Sequence, residues 1–477
     1  MAHGDVMEPP QQFLLPARPA RPARSLDEYL ATDWGGLGVA RAAELGPEHT
    51  VDEIARAGLR GRGGAGFPTG RKWSGVRAQP GTDRYVVANA GEGEPGTFKD
   101  RAILRANPYQ FIEGLMIAAA TIGAAEAFVG FKASFTEEIE CVTRAVQEMQ
   151  DAGLCQGCQV TIVRGPEEYL LGEEKALLEV IEGKDPLPRV LPPFEHGLFA
   201  TAPQLGWQAT ELEAGHAGLH ESNPTLVNNV ETLTNIAPIL VRGADWFRSF
   251  GTAESPGNVV CTIVGDVQRP DVAEVELGTP LRTVIDAVGG GPLEGRTIKA
   301  VFSGVSNPVV VASDLDVSLS YEAFAAIGSG MGAAGFIAVD DTACMVDVAR
   351  AFSRFLYVES CGQCPACKRG SGEITELLER IDGGRGTIRD VEAIGGWLRT
   401  VTDGNRCYLA VEEQAIVASI LRAFPNEFEE HLDGAGCPRP RRFMLPKLVD
   451  LRDGRAVYDE RQPFKRSDWT YGSRAEQ

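Results

Sequence analysis

Three of the chain's ten cysteines fall within seven residues, Cys361-Gly-Gln-Cys364-Pro-Ala-Cys367. A C-x2-C-x2-C run brings three thiolates toward one point, as a [4Fe–4S] cube requires for three of its four irons. On a continuous helix the three side chains would diverge, and Gly362 and Pro365 predict a loop instead. A fourth ligand must come from elsewhere. Cys407, in the connection ahead of the last long helical pattern, is the candidate. Four thiolates also suit zinc. Ten cysteines in 477 residues are too sparse for a disulfide scaffold, which predicts metal work in a reducing compartment, read as cytoplasmic. Cys155 and Cys158 read as buried thiols at a strand entry, Cys141, Cys261 and Cys344 as core, and Cys437 stays unassigned.

The fold around this run is expected to be α+β and multidomain, since 477 residues suggest about three domains. Residues 1–24 include PARPARPAR and read as a loose arm. Helical patterns follow, with Ser25 as an N-cap and a second helix across residues 51–60. Strand-like YVVANA, FVGFK and CQVTIVRG then alternate with helical runs, which predicts an α/β layer over 25–245. Short β-type runs around one helical piece predict a β-grasp unit over 250–338, and four helical patterns predict a bundle over 342–437. Residues 438–477 read as an irregular tail. The apolar run 115–131 carries Glu126 and is short for a membrane span, so a buried helix is expected and no membrane insertion. A net charge of −20 disfavours nucleic acid as a partner.

Gly61-Arg62-Gly63-Gly64-Ala-Gly66 fits G-x-G-x-x-G, yet it follows a helical pattern and is trailed by Pro68 and Gly70, which is wrong for a Rossmann turn. Such a loop still lets backbone N–H groups approach a flat or phosphorylated ligand, with Arg62 and Lys72 supplying positive charge and Phe67 an aromatic face. The plainer reading is a tight turn with solvated bases. Glu92 and Glu94 follow YVVANA, and Glu173 and Glu174 follow Gly172. Carboxylates at strand ends can accept from ribose hydroxyls and would repel a 2′-phosphate, favouring NAD over NADP, or they are solvated turns. Asn228-Asn229-Val-Glu-Thr232 places neutral donors at a helix start, suited to phosphate or to capping. His216 and His220 are spaced to share a metal, but their stretch is not convincingly helical. The six histidines support no Ser–His–Asp arrangement, and no side chain is assigned as catalytic.

In order, LRGRGGAGFPTGRKW (59–73), VANAGEGEPGTFKDR (87–101), YLLGEEKAL (169–177), VNNVETL (227–233), SCGQCPACKRG and the late Cys407 make the chain resemble one family. It is similar to the NADH-binding flavoprotein subunit of complex I and its relatives in soluble formate dehydrogenases and NAD-reducing hydrogenases, from about residue 50 to 435. The resemblance implies an FMN-binding α/β domain, a ubiquitin-like β-grasp (SLBB) domain and a helical [4Fe–4S] domain. It implies hydride transfer between NADH and FMN, then one-electron relay to the cluster. By resemblance the loop Gly61–Gly70, with Lys72, contacts nucleotide and flavin, and Phe67 stacks on the adenine side. Phe194, closing the P-P-F segment, joins the cofactor-binding set. Glu94 and Glu174, flanked by Glu92 and Glu173, address NADH. Asn89, Gly172, Asn228, Asn229 and Thr232 hold FMN, and Cys361, Cys364, Cys367 and Cys407 ligate the cluster. A small thioredoxin-like [2Fe–2S] subunit and a larger electron-accepting subunit are the implied partners.

Departures fall mostly on the nucleotide side. Gly91 replaces the family's aspartate, Leu171 its cysteine, Leu191 a common lysine, and Gly75 an aromatic; Lys175 replaces a small residue, and Ala366 and Lys368 replace Pro and Arg. An extra stretch, roughly 206–220, precedes VNNVETL. Two other readings therefore stand beside the first: a divergent subunit keeping FMN and cluster but using another donor such as ferredoxin, and a scaffold in which a metal only stabilises the fold.

Overall fold

The computed structural model describes residues 12–15, 23–81, 83–201, 221–432, 434, 437–439 and 441–472. Most of the PARPARPAR tract, the extra stretch and His216 and His220 lie outside them.

Four strands form the first sheet: β1 (Tyr85–Ala90), β2 (Glu126–Lys132), β3 (Gln159–Gly165) and β4 (Thr225–Asn229). Their order is β3-β2-β1-β4, and every pairing is parallel. Parallel neighbours need long crossovers, which the helices Lys99–Ala106, Pro108–Ile122 and Thr136–Asp151 supply. Pro108 starts the apolar helix at a position where no N–H is needed, and Asn107 accepts from the Gln110 N–H at 3.2 Å. Gly123, at φ 78°, stops it. Val86, Val87 and Ala88 are fully buried, as in a sheet covered on both faces. Ser25 caps its helix as expected. The second helix is longer at its start than the sequence pattern indicates, running Leu37–Ala57 across a break at Gly46.

The second sheet is mixed, in the order β6-β5-β9-β7-β8. It comprises β5 (Asn258–Gly265), β6 (Asp271–Glu276), β7 (Ile298–Ser303), β8 (Val310–Val311) and β9 (Gly335–Asp340). The helix Leu281–Gly289 buries Leu281, Val284, Ile285 and Val288 in the core of this sheet. Four long helices follow: Met345–Glu359, Pro365–Asp382, Ile388–Thr400 and Leu409–Ala423. The chain is thus a mixed helix-and-sheet protein in which the first sheet's helices and the four long helices share one hydrophobic core, while the second sheet and its helix enclose another.

Three expectations need correction. Pro365 does not prolong the cysteine loop; it sits at the first position of a helix, so Cys367 lies in that helix's first turn. The tail is not irregular, because β10 (Leu448–Arg452) and β11 (Arg455–Tyr458) form a hairpin and Lys465 is wholly buried. Lys465 goes inside by pairing with Glu359 at 2.8 Å, and half-buried Asp450 ties the hairpin to Arg105 at 2.7 Å. The arm is not loose throughout either. Phe13 and Leu14 are buried, and the N–H groups of Phe13, Leu14 and Leu15 all donate to the Glu274 carboxylate at 2.8–3.1 Å. Phe13 packs against Trp246, Phe247 and Phe250.

Candidate active site and metal centre

Parallel strands deliver all their carboxyl ends to one edge, and ligands of open α/β sheets lie outside that edge. Here β1 ends in Asn89 and the loop 91–96, β2 in Lys132, β4 in Asn228 and Asn229, and β3 leads to the turn Tyr169–Gly172. The Asn89 amide donates to the Gly172 carbonyl at 2.7 Å and accepts from the Gly91 N–H at 3.1 Å. The glycine-rich loop closes on itself through Gly61 N–H to Phe67 C=O at 2.8 Å. It is held to the short helix Val230–Thr234 that follows β4 by Arg62 N–H donating to Thr232 Oγ1 at 2.9 Å. Lys72 and Glu174 pair at 2.8 Å across the opening, both partly exposed. Asn228 accepts from the Trp73 indole at 2.8 Å.

The floor between these groups is bare backbone. A Cβ on Gly63 would lie 3.2 Å from Asn229 Cβ, and one on Gly172 would lie 3.2 Å from the Gly91 carbonyl. Such a cradle, edged by amides and an exposed Phe67 ring under Arg71, fits a flat ring system with a phosphorylated tail. The Gly66 φ of 61° and its contact with Tyr321, whose hydroxyl donates to Gly61 C=O at 2.9 Å, fix the loop's shape.

Several candidate residues do other work. Arg62 turns its guanidinium inward, toward the Glu231 carboxylate at 3.8 Å and the carbonyls of Pro256 and Asn258, so it brings no charge to the cleft. Glu92 is consumed by Arg101 at 2.9 Å and by the Asp100 N–H. Asn229 spends its amide on Asp100, Lys99 and the Glu231 N–H, which caps the helix it precedes. Glu173 likewise caps the helix Glu174–Ile181, and burial pushes its carboxyl up to about 7. Glu94 is enclosed between the Val305 N–H and the Tyr169 hydroxyl, and burial raises it. Phe194 is exposed at the opposite edge, beside the start of β4, where Pro193 C=O accepts from Thr225 N–H.

Lys132 was not a sequence candidate. It is buried where β2 ends, and burial, with Lys447 nearby, lowers its pKa to about 7. A lone lysine closing an apolar strand was the available signal.

The four cysteines converge. Cys361, Cys364, Cys367 and Cys407 line one small cavity with Leu170, Pro188, Leu409 and Ala410. Burial pushes the Cys367 and Cys407 thiols up to about 12, so an apolar hole holds thiolates there only when a cation neutralises them. An all-sulfur donor set in such walls fits an iron–sulfur cluster. Cys155 and Cys158 are buried thiols, as expected.

The chain matches the Nuo51 FMN-binding domain over residues 54–238, the SLBB domain over 260–306, and the NADH-ubiquinone oxidoreductase-F iron-sulfur binding region over 347–431. It is 38% identical to the second F-type subunit of the NADH-quinone oxidoreductase of Rhizobium meliloti over 415 residues, covering 85% of this chain and 94% of that one. It is 36% identical to the HndC subunit of the NADP-reducing hydrogenase of Solidesulfovibrio fructosivorans, covering 87% and 82%. A crystal structure of NAD+-reducing [NiFe]-hydrogenase in the H2-reduced state superposes with a TM-score of 0.73 at 31% identity, over 89% of this chain and 68% of that one. No helix among the described residues is long and apolar enough to cross a membrane. With its bare-backbone cradle, its all-sulfur cavity and these matches along most of its length, the chain belongs to the family of F-type NADH-quinone oxidoreductase subunits, which are FMN and [4Fe–4S] oxidoreductases.

Proposed function

We propose that this chain is the NADH-facing gateway of a multi-subunit oxidoreductase, with a small thioredoxin-like [2Fe–2S] subunit and a larger electron acceptor as partners. One observation carries the reading. The turn Tyr169–Gly172 borders both sites: Gly172 accepts from Asn89 at the sheet edge, and Leu170 lines the sulfur cavity. The residues that would hold flavin and those that would hold the cluster thereby flank one short segment. Bound FMN supplies the conversion of a two-electron hydride into single electrons. The protein's residues bind, orient and shield. Asn89 and Asn228 offer amides at the cradle, the Gly61–Gly70 loop supplies a close backbone surface, and Lys72 and Glu174 gate the opening with polar groups for a nucleotide. Leu170 and Leu409 keep water from the sulfurs.

Two of the departures from the family pattern compensate each other at the edge of this cradle. Leu171 is fully buried and its side chain stands 3.3 Å from where a Gly91 Cβ would be, so the two substitutions meet and exchange volume.

The test is an anaerobic visible spectrum of the purified protein before and after one equivalent of NADH. Bleaching of the flavin band is expected. A flavin-plus-cluster spectrum that NADH leaves untouched and dithionite bleaches would transfer the assignment to another donor. The loop geometry gives a second expectation. Gly66→Ala places a Cβ 2.4 Å from the Tyr321 ring at a positive φ. That strain, about 1–2 kcal/mol before the clash, weakens flavin retention roughly tenfold, read as the FMN-to-protein ratio after gel filtration.

A further inference from the structure

Four metal-binding side chains meet at a second place in the helical region, away from the sulfur cavity. Cys344 is the residue before the helix Met345–Glu359, and Asp382 is the last residue of Pro365–Asp382. His431 follows the short helix Pro425–Glu429, and Cys437 stands where the tail begins. One ligand atom from each lies within 4.8 Å of every other. Cys344 and His431 are at most 1% exposed and Asp382 is 6% exposed. None of the four lines the sulfur cavity.

The surroundings prepare these groups for a cation. His431 Nδ1 lies 2.6 Å from the Glu427 carbonyl, which can only accept, so Nδ1 carries the proton and Nε2 turns its lone pair toward Cys344 Sγ at 3.3 Å. Asp382 gives one carboxylate oxygen to Arg442, with Arg350 at 3.5 Å. Its other oxygen, Oδ1, is buried with no hydrogen-bond partner among the described residues. An acceptor buried in that way costs about 1–3 kcal/mol unless something positive meets it. The Arg439 N–H lies 3.4 Å from Cys437 Sγ, in position to donate to a thiolate. As a thiol, Cys437 instead donates to the Arg439 carbonyl at 3.0 Å, a bond that metal ligation would replace.

We propose that Cys344, Asp382, His431 and Cys437 bind one structural zinc ion that fastens the end of the helical region to the root of the C-terminal tail. Two sulfurs, one imidazole nitrogen and one carboxylate oxygen are a borderline-soft set that suits zinc and disfavours magnesium or calcium. Four protein ligands leave no open position, which marks a structural rather than a catalytic site. Tetrahedral bonds of about 2.0–2.3 Å place ligands about 3.3–3.8 Å apart, so the metal needs only a modest contraction of the present cluster. Two thiolates and a carboxylate against Zn²⁺ leave one negative charge, faced by Arg442 and Arg350. The site is independent of the nucleotide chemistry, since a zinc clasp holds whatever the donor is.

The experiment uses the full chain, purified anaerobically with its flavin and iron, and quantifies zinc and iron together while recording zinc-edge X-ray absorption. About one zinc per chain with a first shell of two sulfurs and two lighter atoms is expected. Cys437→Ser is expected to lower zinc more than about tenfold while iron and flavin stay unchanged. Asp382→Asn is expected to weaken retention against a chelator. Substoichiometric zinc in iron-replete protein would overturn the proposal, as would a four-sulfur shell placing zinc in the other cavity, or a Cys344–Cys437 disulfide in the isolated protein. The wild-type absorption spectrum decides the matter even if a variant fails to fold.

Discussion

Cys364→Ser is expected to drop iron from about four atoms per chain to about none while flavin remains bound. Cys364 is one of three sulfurs in a single curl and lines the same cavity as Cys361, Cys367 and Cys407, so its loss leaves only three protein sulfurs at that cavity. The flavin cradle is built from other elements, namely the Gly61–Gly70 loop and the carboxyl ends of β1 and β4. NADH should therefore still bleach the flavin in the variant, whereas electron delivery to a partner subunit falls to background. Iron assay and an anaerobic NADH titration read both halves. Loss of flavin with iron unchanged would mean that the two sites have been assigned to the wrong elements.

The second large effect concerns the tail. Lys465→Met strips the partner from Glu359 in a place where both side chains are wholly enclosed. Breaking a buried pair from one side costs about 3–5 kcal/mol, because the remaining charge has no solvent. Glu359 also accepts from the Tyr169 N–H at 3.0 Å, so the damage reaches the turn between the two redox sites. Thermal unfolding should show a marked loss, and Glu359→Gln combined with Lys465→Met, which keeps an acceptor for Tyr169, should recover most of it. The pH dependence has a definite sign. Burial pushes the Glu359 carboxyl up, but the ammonium groups of Lys465 and Lys447 outweigh it and hold the group below the usual carboxylate range. Its stabilisation is thus fully present above a pH of about 4.3 and is lost as pH falls through the lower folded value. In the Lys465 variant that acid-side loss should flatten.

Where side chains repeat with a period, the sequence was readable. YVVANA and FVGFK became strands, and the helical patterns became helices, because burial on defined faces writes itself into spacing. The cysteine set was legible because thiolates are the usual ligands of such clusters, three of them stand in one short run, and Cys407 lies in the connection ahead of the last long helical pattern. The tail was not legible, since Lys465 is buried by pairing with distant Glu359 and hydropathy scores both as exposed; the arm was not, since its backbone N–H groups dock on distant Glu274 within a tract of otherwise low complexity. Arg62, Glu92 and Asn229 misled in the opposite direction. Each belongs to a motif of the right composition, yet Glu231, Arg101 and Asp100 claim them. The Cys344–His431 pair was invisible because its members stand 87 positions apart and no local pattern marks them.

Two long helices begin at the sulfur cavity. Pro365–Asp382 has Cys364 as its N-cap, and Leu409–Ala423 starts two residues after Cys407. Each presents about half an elementary positive charge and unpaired N–H groups at that end. The Lys368 ammonium, fixed by the carbonyls of Tyr357, Ser360 and Ser467, adds a full charge beside them. A negative charge held in the cavity would therefore be met by the two helix starts and by the Lys368 ammonium, a pull that the nearby carboxylates of Glu173, Glu412 and Glu413 oppose. The two helices that close the cavity would thus also help to hold the charge of an iron–sulfur group bound there.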